Sequence, residues 1–443
     1  MEKYLGNKRV LLNDILTFTN KNCPDAKSVY DVFTGTTNVA RMYKKNGFDV
    51  YANDANRFSY VLGNTYLNLN QYPSFSGLNL EKITTPETDL KARFKSDVAK
   101  DRDTLFNSQN VNNVLEELNH AENVFNYLNS LNKKIKGVNY FIYDHYTIFG
   151  KHSSYKSVRG TEGKRNYFSK DNAIILDNIL HCTRDWNKSG SISEAEMFYI
   201  MTAVIEEVTL NANVSGTFHD FNRHKLWPNS LQKFFLKLPV VDINQSIGKI
   251  FNADSEKLSA SIPAHDILYI DPPYNFRQYS AYYHFLNFIA IYPLVDDVKD
   301  YLSEITFVRG QRMDDDFTSK FCFKAQFMNA LDNLIQNTNS RYIIMSYYGG
   351  RNHWNHWSQT EDPTDEGFSI LSEYFSSPVF CSHNTTSVTK LRQNYQSRIG
   401  EKKSIIDEYL FFAERLSCNT ASSKKKTPLN TARATDLKTS YAF

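Results

Sequence analysis

Cysteine is sparse in this chain, and the few present form no pattern. Cys23, Cys182, Cys322, Cys381 and Cys418 show neither close pairing nor metal-ligand spacing. That argues against a disulfide scaffold or a zinc module. His353 and His356 flank Trp354 and Asn355, but no cysteine or carboxylate spacing completes a ligand set. The stretch reads as an aromatic-rich loop, and no metal is expected. Excess charge is lacking too: 443 residues carry a net charge of only +3. Nucleic-acid binding cannot be argued from such a total, only from local patches. No apolar run approaches the ~18 residues of a membrane span. No secretory leader is legible before Tyr4. The expectation is a soluble, cytoplasmic protein with no membrane partner. No internal repeat is evident. What is abundant is aromatic: 28 Tyr and 31 Phe in a chain 41% hydrophobic can bury a substantial core. The length allows two domains, or one domain with a large insertion.

The most informative residues are Asp271-Pro272-Pro273-Tyr274. They follow the apolar run Asp266-Ile267-Leu268-Tyr269-Ile270, which reads as a short buried strand. A strand interior needs donors, and two prolines supply none, so the strand stops there. A carboxylate, rigid carbonyls and an aromatic ring are left at its carboxyl end. In open α/β sheets that end is where ligands bind. Carboxylate and carbonyl can accept from an amino group, and a ring can stack on a flat heterocycle. The set suits a planar base with an exocyclic NH₂. Alone, it also suits an Asp-capped turn.

Upstream, Ser28-Val29-Tyr30-Asp31-Val32-Phe33 reads as a strand ending in the turn Thr34-Gly35-Thr36-Thr37-Asn38. Val39-Ala40-Arg41-Met42-Tyr43 opens a helix. Such a turn lets backbone approach a ligand and aims helix N–H groups at it. A single glycine excludes the three-glycine dinucleotide fingerprint. A third strand, Phe48 to Asp54, ends in an acid about 20 positions on, the usual place for a ribose contact. Together these suggest an adenosine-containing cofactor without a pyrophosphate. At the N-terminus, Tyr4-Leu5-Gly6-Asn7-Lys8-Arg9 reads as a loop entering a helix. Taken alone, Lys8 reads as a solvated charge.

The order Tyr4-x-Gly6-x-Lys8, then Asp31-x-Phe33-x-Gly35-Thr36, then a distant Asp271-Pro272-Pro273-Tyr274 resembles the alpha group of N6-adenine DNA methyltransferases. These are the Dam-like enzymes of restriction-modification systems. Residues 167–173, 211–216 and 277–284 resemble stretches of one branch, the larger modification methylases. The resemblance covers residues 1 to about 415. Two departures stand out: Thr37, where a glycine is often found, and Tyr4, where Dam has a tryptophan.

The resemblance implies an α/β fold. A Rossmann-like methyltransferase sheet carries helices on both faces, with an inserted, mainly helical target-recognition domain. It places the catalytic domain in residues 1–70 and 241–417 and the insertion in 71–240. Residues 418–443, rich in Ser, Thr, Ala and Lys, read as a disordered tail. It implies S-adenosyl-L-methionine as donor, without a metal, and double-stranded DNA as acceptor. Asp271 and the Pro272 carbonyl would hold the amine of a flipped-out adenine, with Tyr274 stacked on the base. Tyr4, Lys8, Asp31, Phe33, Gly35, Asp54, Asp254 and Asp271 would surround the donor. A separate restriction endonuclease is the implied partner, and the chain is expected as a monomer or weak dimer. An Asn-Pro-Pro-Tyr would have favoured RNA or protein acceptors. An RNA adenine methyltransferase and a DNA-binding regulator that keeps the cofactor fold are the alternatives.

Residues 150–170 hold Lys151, Lys156, Arg159, Lys164, Arg165 and Lys170 against one acid, Glu162. Three glycines and several aromatics interleave them. Such a loop suits phosphate and base contacts. Arg277 and Tyr279, just past the prolines, join it as expected DNA contacts. Tyr282 and Tyr283 are further candidates for the wall of the base pocket. Helical spacing at Val111, Val114, Leu115 and Leu118 and at Val124, Phe125, Leu128 and Leu131 reads as core. Residues 172–186, 194–210, 284–291 and 324–336 read as helices. Residues 250–254, 341–347 and 407–413 read as strands.

Overall fold

The computed structural model describes residues 4, 6–80, 89–100, 118–350, 352–354, 365–393 and 403–416. The expected tail, Cys418, His356 and the apolar positions Val111, Val114 and Leu115 lie outside the described residues.

Among these, seven strands form one sheet and two more form a small hairpin. β1 (Ser28–Asp31), β2 (Asp49–Asn53), β5 (Gly248–Phe251), β6 (His265–Ile270) and β7 (Ser340–Tyr348) run parallel. β8 (Phe380–Gln393) and β9 (Lys403–Arg415) close the sheet as an antiparallel hairpin. The order is β5-β2-β1-β6-β7-β9-β8. β3 (Ser154–Lys156) and β4 (Glu162–Lys164) pair apart from it. This is a Rossmann-like sheet with helices on both faces.

The central strands are buried on both faces, so they read as continuous apolar runs. Alternate residues part cleanly. Ile267 and Tyr269 of β6 join one core, and Leu268 and Ile270 join the other. β7 divides in the same way, with Tyr342 and Ile344 opposed to Ile343 and Met345. On the first face lie α1 (Leu12–Asn22), α2 (Asn38–Lys45) and α3 (Arg57–Gly63), with the wholly buried helix His284–Ile291. On the second lie helices Lys324–Asn337 and Glu366–Phe375.

Helices Lys170–Ser189 and Glu194–Asn211 begin and end on local signals. Ser169 accepts from the Asn172 amide, and Gly190 takes the left-handed conformation (φ 73°) past the first helix. Ser193 and Glu196 form a capping box at the second. Both helices belong to the first core, where Tyr199 meets Tyr72, Phe75 and Phe125. The described part of 71–240 therefore shares the core of the sheet domain.

Among the elements that escape the sequence reading, three bear on the sheet and the basic loop. β8 is a polar edge strand (Ser382, His383, Asn384, Thr385, Thr386), formed by pairing with β9 and not by apolar alternation. Helix Glu366–Phe375 is capped by Asp365, whose carboxylate accepts from the Gly367 and Phe368 amides. The basic loop is folded as the hairpin β3–β4, in which Lys156 faces Glu162.

Candidate active site

The chain leaves β1 in one direction, to β2 and β5, and later fills the other side with β6 and β7. At such a reversal, loops leaving the carboxyl ends diverge and open a crevice. Parallel register brings four acids to that edge in sheet order. Asp254 follows β5, Asp54 follows β2, Asp31 ends β1 and Asp271 follows β6. All four line a cavity of about 600 Å³, together with Tyr4, Lys8, Phe33, Gly35, Pro272 and Tyr274. The structure thus gathers every residue assigned to donor and chemistry into one cavity.

Asp31 is 1% exposed. No described residue completes a hydrogen bond of ordinary geometry to either carboxylate oxygen. Burial pushes its pKa up to about 8, and the negative charges of Asp271 and Asp54 push the same way. The nearby Thr34 hydroxyl and Phe33 amide offset only part of this. Asp54 is better served. It accepts from the Gly35 amide at 2.9 Å and from the Asn56 amide and side chain at 2.8 and 3.0 Å. Burial still raises its pKa, against those bonds. Asp54 therefore fixes the Gly35 turn. Asp254 caps a short helix by accepting from the Glu256 amide at 3.0 Å.

Gly35 has φ +51°, and a Cβ there would meet the Tyr4 ring at 2.9–3.1 Å. Backbone and ring pack this closely only without a side chain. Thr37 is also left-handed (φ 62°) where it caps α2. That conformation explains why a glycine is common in its place. The Tyr4 ring is stacked on Tyr283, with centroids 4.6 Å apart and planes at 22°.

Lys8 departs from its solvated reading. It is 3% exposed, and its Nζ lies 2.8 Å from Asp271 Oδ1 and 2.9 Å from Glu408 Oε1. Glu408 accepts the Ser346 hydroxyl as well. The sequence reading passed over Glu408. A signal existed: it is an acid inside the strand Asp407–Ala413, where a buried carboxylate demands a partner. Tyr348 was missed too. It stacks on Tyr274 with centroids 4.8 Å apart and planes at 29°. Tyr274 lines the cavity with one ring face thus covered, and Tyr279 lines it as well. Tyr283 is fully buried against Tyr4, so it packs behind the wall.

The basic hairpin divides. Lys151, Lys156, Arg159 and Lys164 are exposed. Arg159 shares an open groove with Arg223, Arg309 and His219. Arg165 does not fit the DNA-contact expectation. It is 5% exposed, and its guanidinium donates to the carbonyls of Val308, His152 and Phe307 at 2.9, 3.2 and 3.3 Å. Sequence shows charge but not direction, and here the charge turns inward to anchor the hairpin. Arg277 is half-buried beside Tyr282, 5.8 Å from its ring centroid.

A cavity at the switch point of a Rossmann-like sheet, walled by acids and aromatics, stands where α/β folds of this class bind their ligands. The chain belongs to the D12 class N6 adenine-specific DNA methyltransferase family, whose model matches residues 4–179 and 161–306. It is 28% identical over 442 residues to Modification methylase StsI of Streptococcus sanguinis, covering 98% of this chain and 55% of that protein. It is 29% identical over 434 residues to Type II methyltransferase M.FokI of Planomicrobium okeanokoites, covering 96% and 54%. Type II methyltransferase M.NlaIII of Neisseria lactamica is 26% identical over 349 residues, covering 78% and 82%. The chain thus spans about half the length of the first two relatives. Among the described residues, no helix is long and apolar enough to cross a membrane.

Proposed function

We propose that the chain transfers a methyl group from S-adenosylmethionine to the exocyclic N6 of adenine in double-stranded DNA. It would act as the modification enzyme of a restriction-modification system, with a cognate endonuclease acting on the same site. The observation that carries this reading is Asp271-Pro272-Pro273-Tyr274 in one cavity with the buried acids of β1, β2 and β5.

The residues fit a cationic nucleoside donor. Asp31 offers a buried, unsatisfied carboxylate, which costs free energy unless a positive group meets it. Asp54 follows β2 at the place where a ribose is held in comparable folds. Asp254 would face the donor's adenine amine, and Phe33, Gly35 and Tyr4 its methionine side. The donor supplies an electrophilic methyl group on a sulfonium.

The protein must improve the acceptor. Adenine's amine delocalises its lone pair into the ring and is a poor nucleophile. Asp271 and the Pro272 carbonyl would accept its two N–H bonds, so that the nitrogen can pyramidalise. The same acceptors stabilise the positive charge that develops there. Inside a duplex this amine is out of reach, so the base must be extruded at a cost of a few kcal/mol. Stacking, worth about 1–3 kcal/mol per base, offsets that; Tyr274 and Tyr279 are the walls. The region 71–240 would read the target. The outward Lys151, Lys156, Arg159 and Lys164 would meet phosphates, and Arg277 and Tyr279 would meet DNA at the cavity mouth.

Incorporation of label from S-adenosyl-[methyl-³H]methionine into unmethylated plasmid DNA tests this, with Asp271→Ala as control. Wild type should label adenine N6, and Asp271→Ala should be slower by far more than tenfold. Label in RNA only, or a variant within about tenfold of wild type (1.4 kcal/mol), would refute it.

A further inference from the structure

Glu408 stands on β9 opposite Tyr348, at the carboxyl end of β7. It is fully buried. Its carboxylate reaches the chemistry through one ammonium: Lys8 Nζ lies 2.9 Å from Glu408 Oε1 and 2.8 Å from Asp271 Oδ1. The Ser346 hydroxyl, on the neighbouring strand, donates to the same Glu408 oxygen. Two carboxylates thus share one buried lysine.

The geometry points to Glu408 as a positioning residue for methyl transfer: acting through Lys8, it keeps Asp271 aimed and effectively anionic. This rests on the role proposed above for Asp271. Lys8 holds Asp271 Oδ1 at 2.8 Å, a charge-assisted contact that fixes how the carboxylate is turned. A lysine paired with Asp271 alone would cancel its charge. The positive charge that grows on the acceptor nitrogen would then face a neutral pair. Glu408 draws on the same ammonium, so negative charge remains where the reaction needs it. Ser346 fixes the Glu408 carboxylate, and strand pairing between β7 and β9 fixes both. A purely structural Glu408 would tie β9 to the N-terminal segment and no more. It would change stability without changing how Asp271 acts.

Glu408→Gln removes the charge and keeps the shape. In the full chain, with labelled S-adenosylmethionine and unmethylated plasmid DNA, kcat should fall roughly tenfold or more, about 1.4 kcal/mol. KM for the donor should move much less. In a Lys8→Met background the same change should add less than a twofold loss, because its route to Asp271 is gone. A folded Glu408→Gln protein with kcat within twofold of wild type overturns the proposal. So does an equal loss in both backgrounds. If Glu408→Gln does not fold, Ser346→Ala removes one hydrogen bond from the carboxylate while leaving its charge, and a drop of about threefold in kcat is expected; an unchanged kcat refutes the proposal. A readout without turnover is the ratio of affinities for S-adenosylmethionine and neutral S-adenosylhomocysteine. Loss of a negative charge should lower the preference for the cationic donor at least threefold, and an unchanged ratio overturns the electrostatic role. Wild-type protein that binds both ligands yet labels no DNA refutes the function proposed above and leaves this ratio as the test.

Discussion

Donor affinity should depend steeply on pH, through Asp31. Burial lifts its pKa to about 8, with Asp271 and Asp54 adding to the rise and the Thr34 hydroxyl and Phe33 amide opposing it. Tyr269, its register partner on β6, lies beside it, and Tyr30 precedes it on β1. In the free protein at pH 6, the neutral acid should outnumber the carboxylate about a hundredfold, two pH units below its pKa. A cationic donor selects the carboxylate. Binding must then expel a proton, and affinity must rise with pH, by about tenfold per unit below pH 7 and less steeply as the pKa is approached. From pH 6 to pH 8 the gain reaches about fiftyfold, or roughly 2.3 kcal/mol, because the group is half ionised at its pKa. The donor's own amine, with an ordinary pKa of about 7.7–8.0, stays protonated through most of this window. Calorimetric titration of S-adenosylmethionine from pH 6 to 7.5, in two buffers of different ionisation enthalpy, measures both affinity and protons released. About one proton per donor should leave at pH 6. Asp31→Asn should bind weakly at every pH and show no slope. A wild-type dissociation constant that moves less than about threefold over this range would refute the reasoning, as would a slope that survives in Asp31→Asn.

Gly35→Ala should weaken donor binding by roughly tenfold, since its Cβ would strike the Tyr4 ring at 2.9 Å and its left-handed φ costs about 1–2 kcal/mol; a calorimetric affinity equal to wild type would contradict this. Lys156→Ala with Arg159→Ala should flatten the salt dependence of DNA binding, by a slope of about 0.9 per lost phosphate contact; identical slopes would remove the hairpin from the interface. Arg165→Met should behave oppositely. It takes a donor from three carbonyls, of which Phe307 still accepts from the Gly310 amide, and should destabilise by about 2 kcal/mol or more, read as a lower melting temperature. An unchanged melting temperature would show that its anchoring is dispensable.

The legible parts of the fold were those whose local pattern and tertiary fate agree. Helix His284–Ile291 and strands β6 and β7 are apolar runs because they are buried on every side. The two-proline stop after Ile270 marks a strand end by covalent geometry alone. β8 is different. Its residues are polar, and only the hydrogen bonds offered by β9 make it a strand. Arg165 was misread for a related reason. A basic cluster predicts charge at the surface, but a guanidinium has five donors and can equally serve backbone carbonyls indoors.

Sheet register explains why the acids of the site were easier to find than the group that steers one of them. Asp31, Asp54, Asp254 and Asp271 each stand at or just past the end of a strand. Parallel neighbours put such ends in one row, so motif position in the chain already implies position in space. Glu408 enters the same row from the opposite direction. β9 runs antiparallel to β7, so its reach towards the row lies at its beginning, and Glu408 sits mid-strand opposite Tyr348. Lys8 comes from ahead of the first helix and lies between the two carboxylates. Three segments separated by hundreds of residues therefore meet at one ammonium. No local pattern encodes that meeting. It follows from the reversed hairpin that closes the sheet, which brings an acid on β9 to the edge where the parallel strands end.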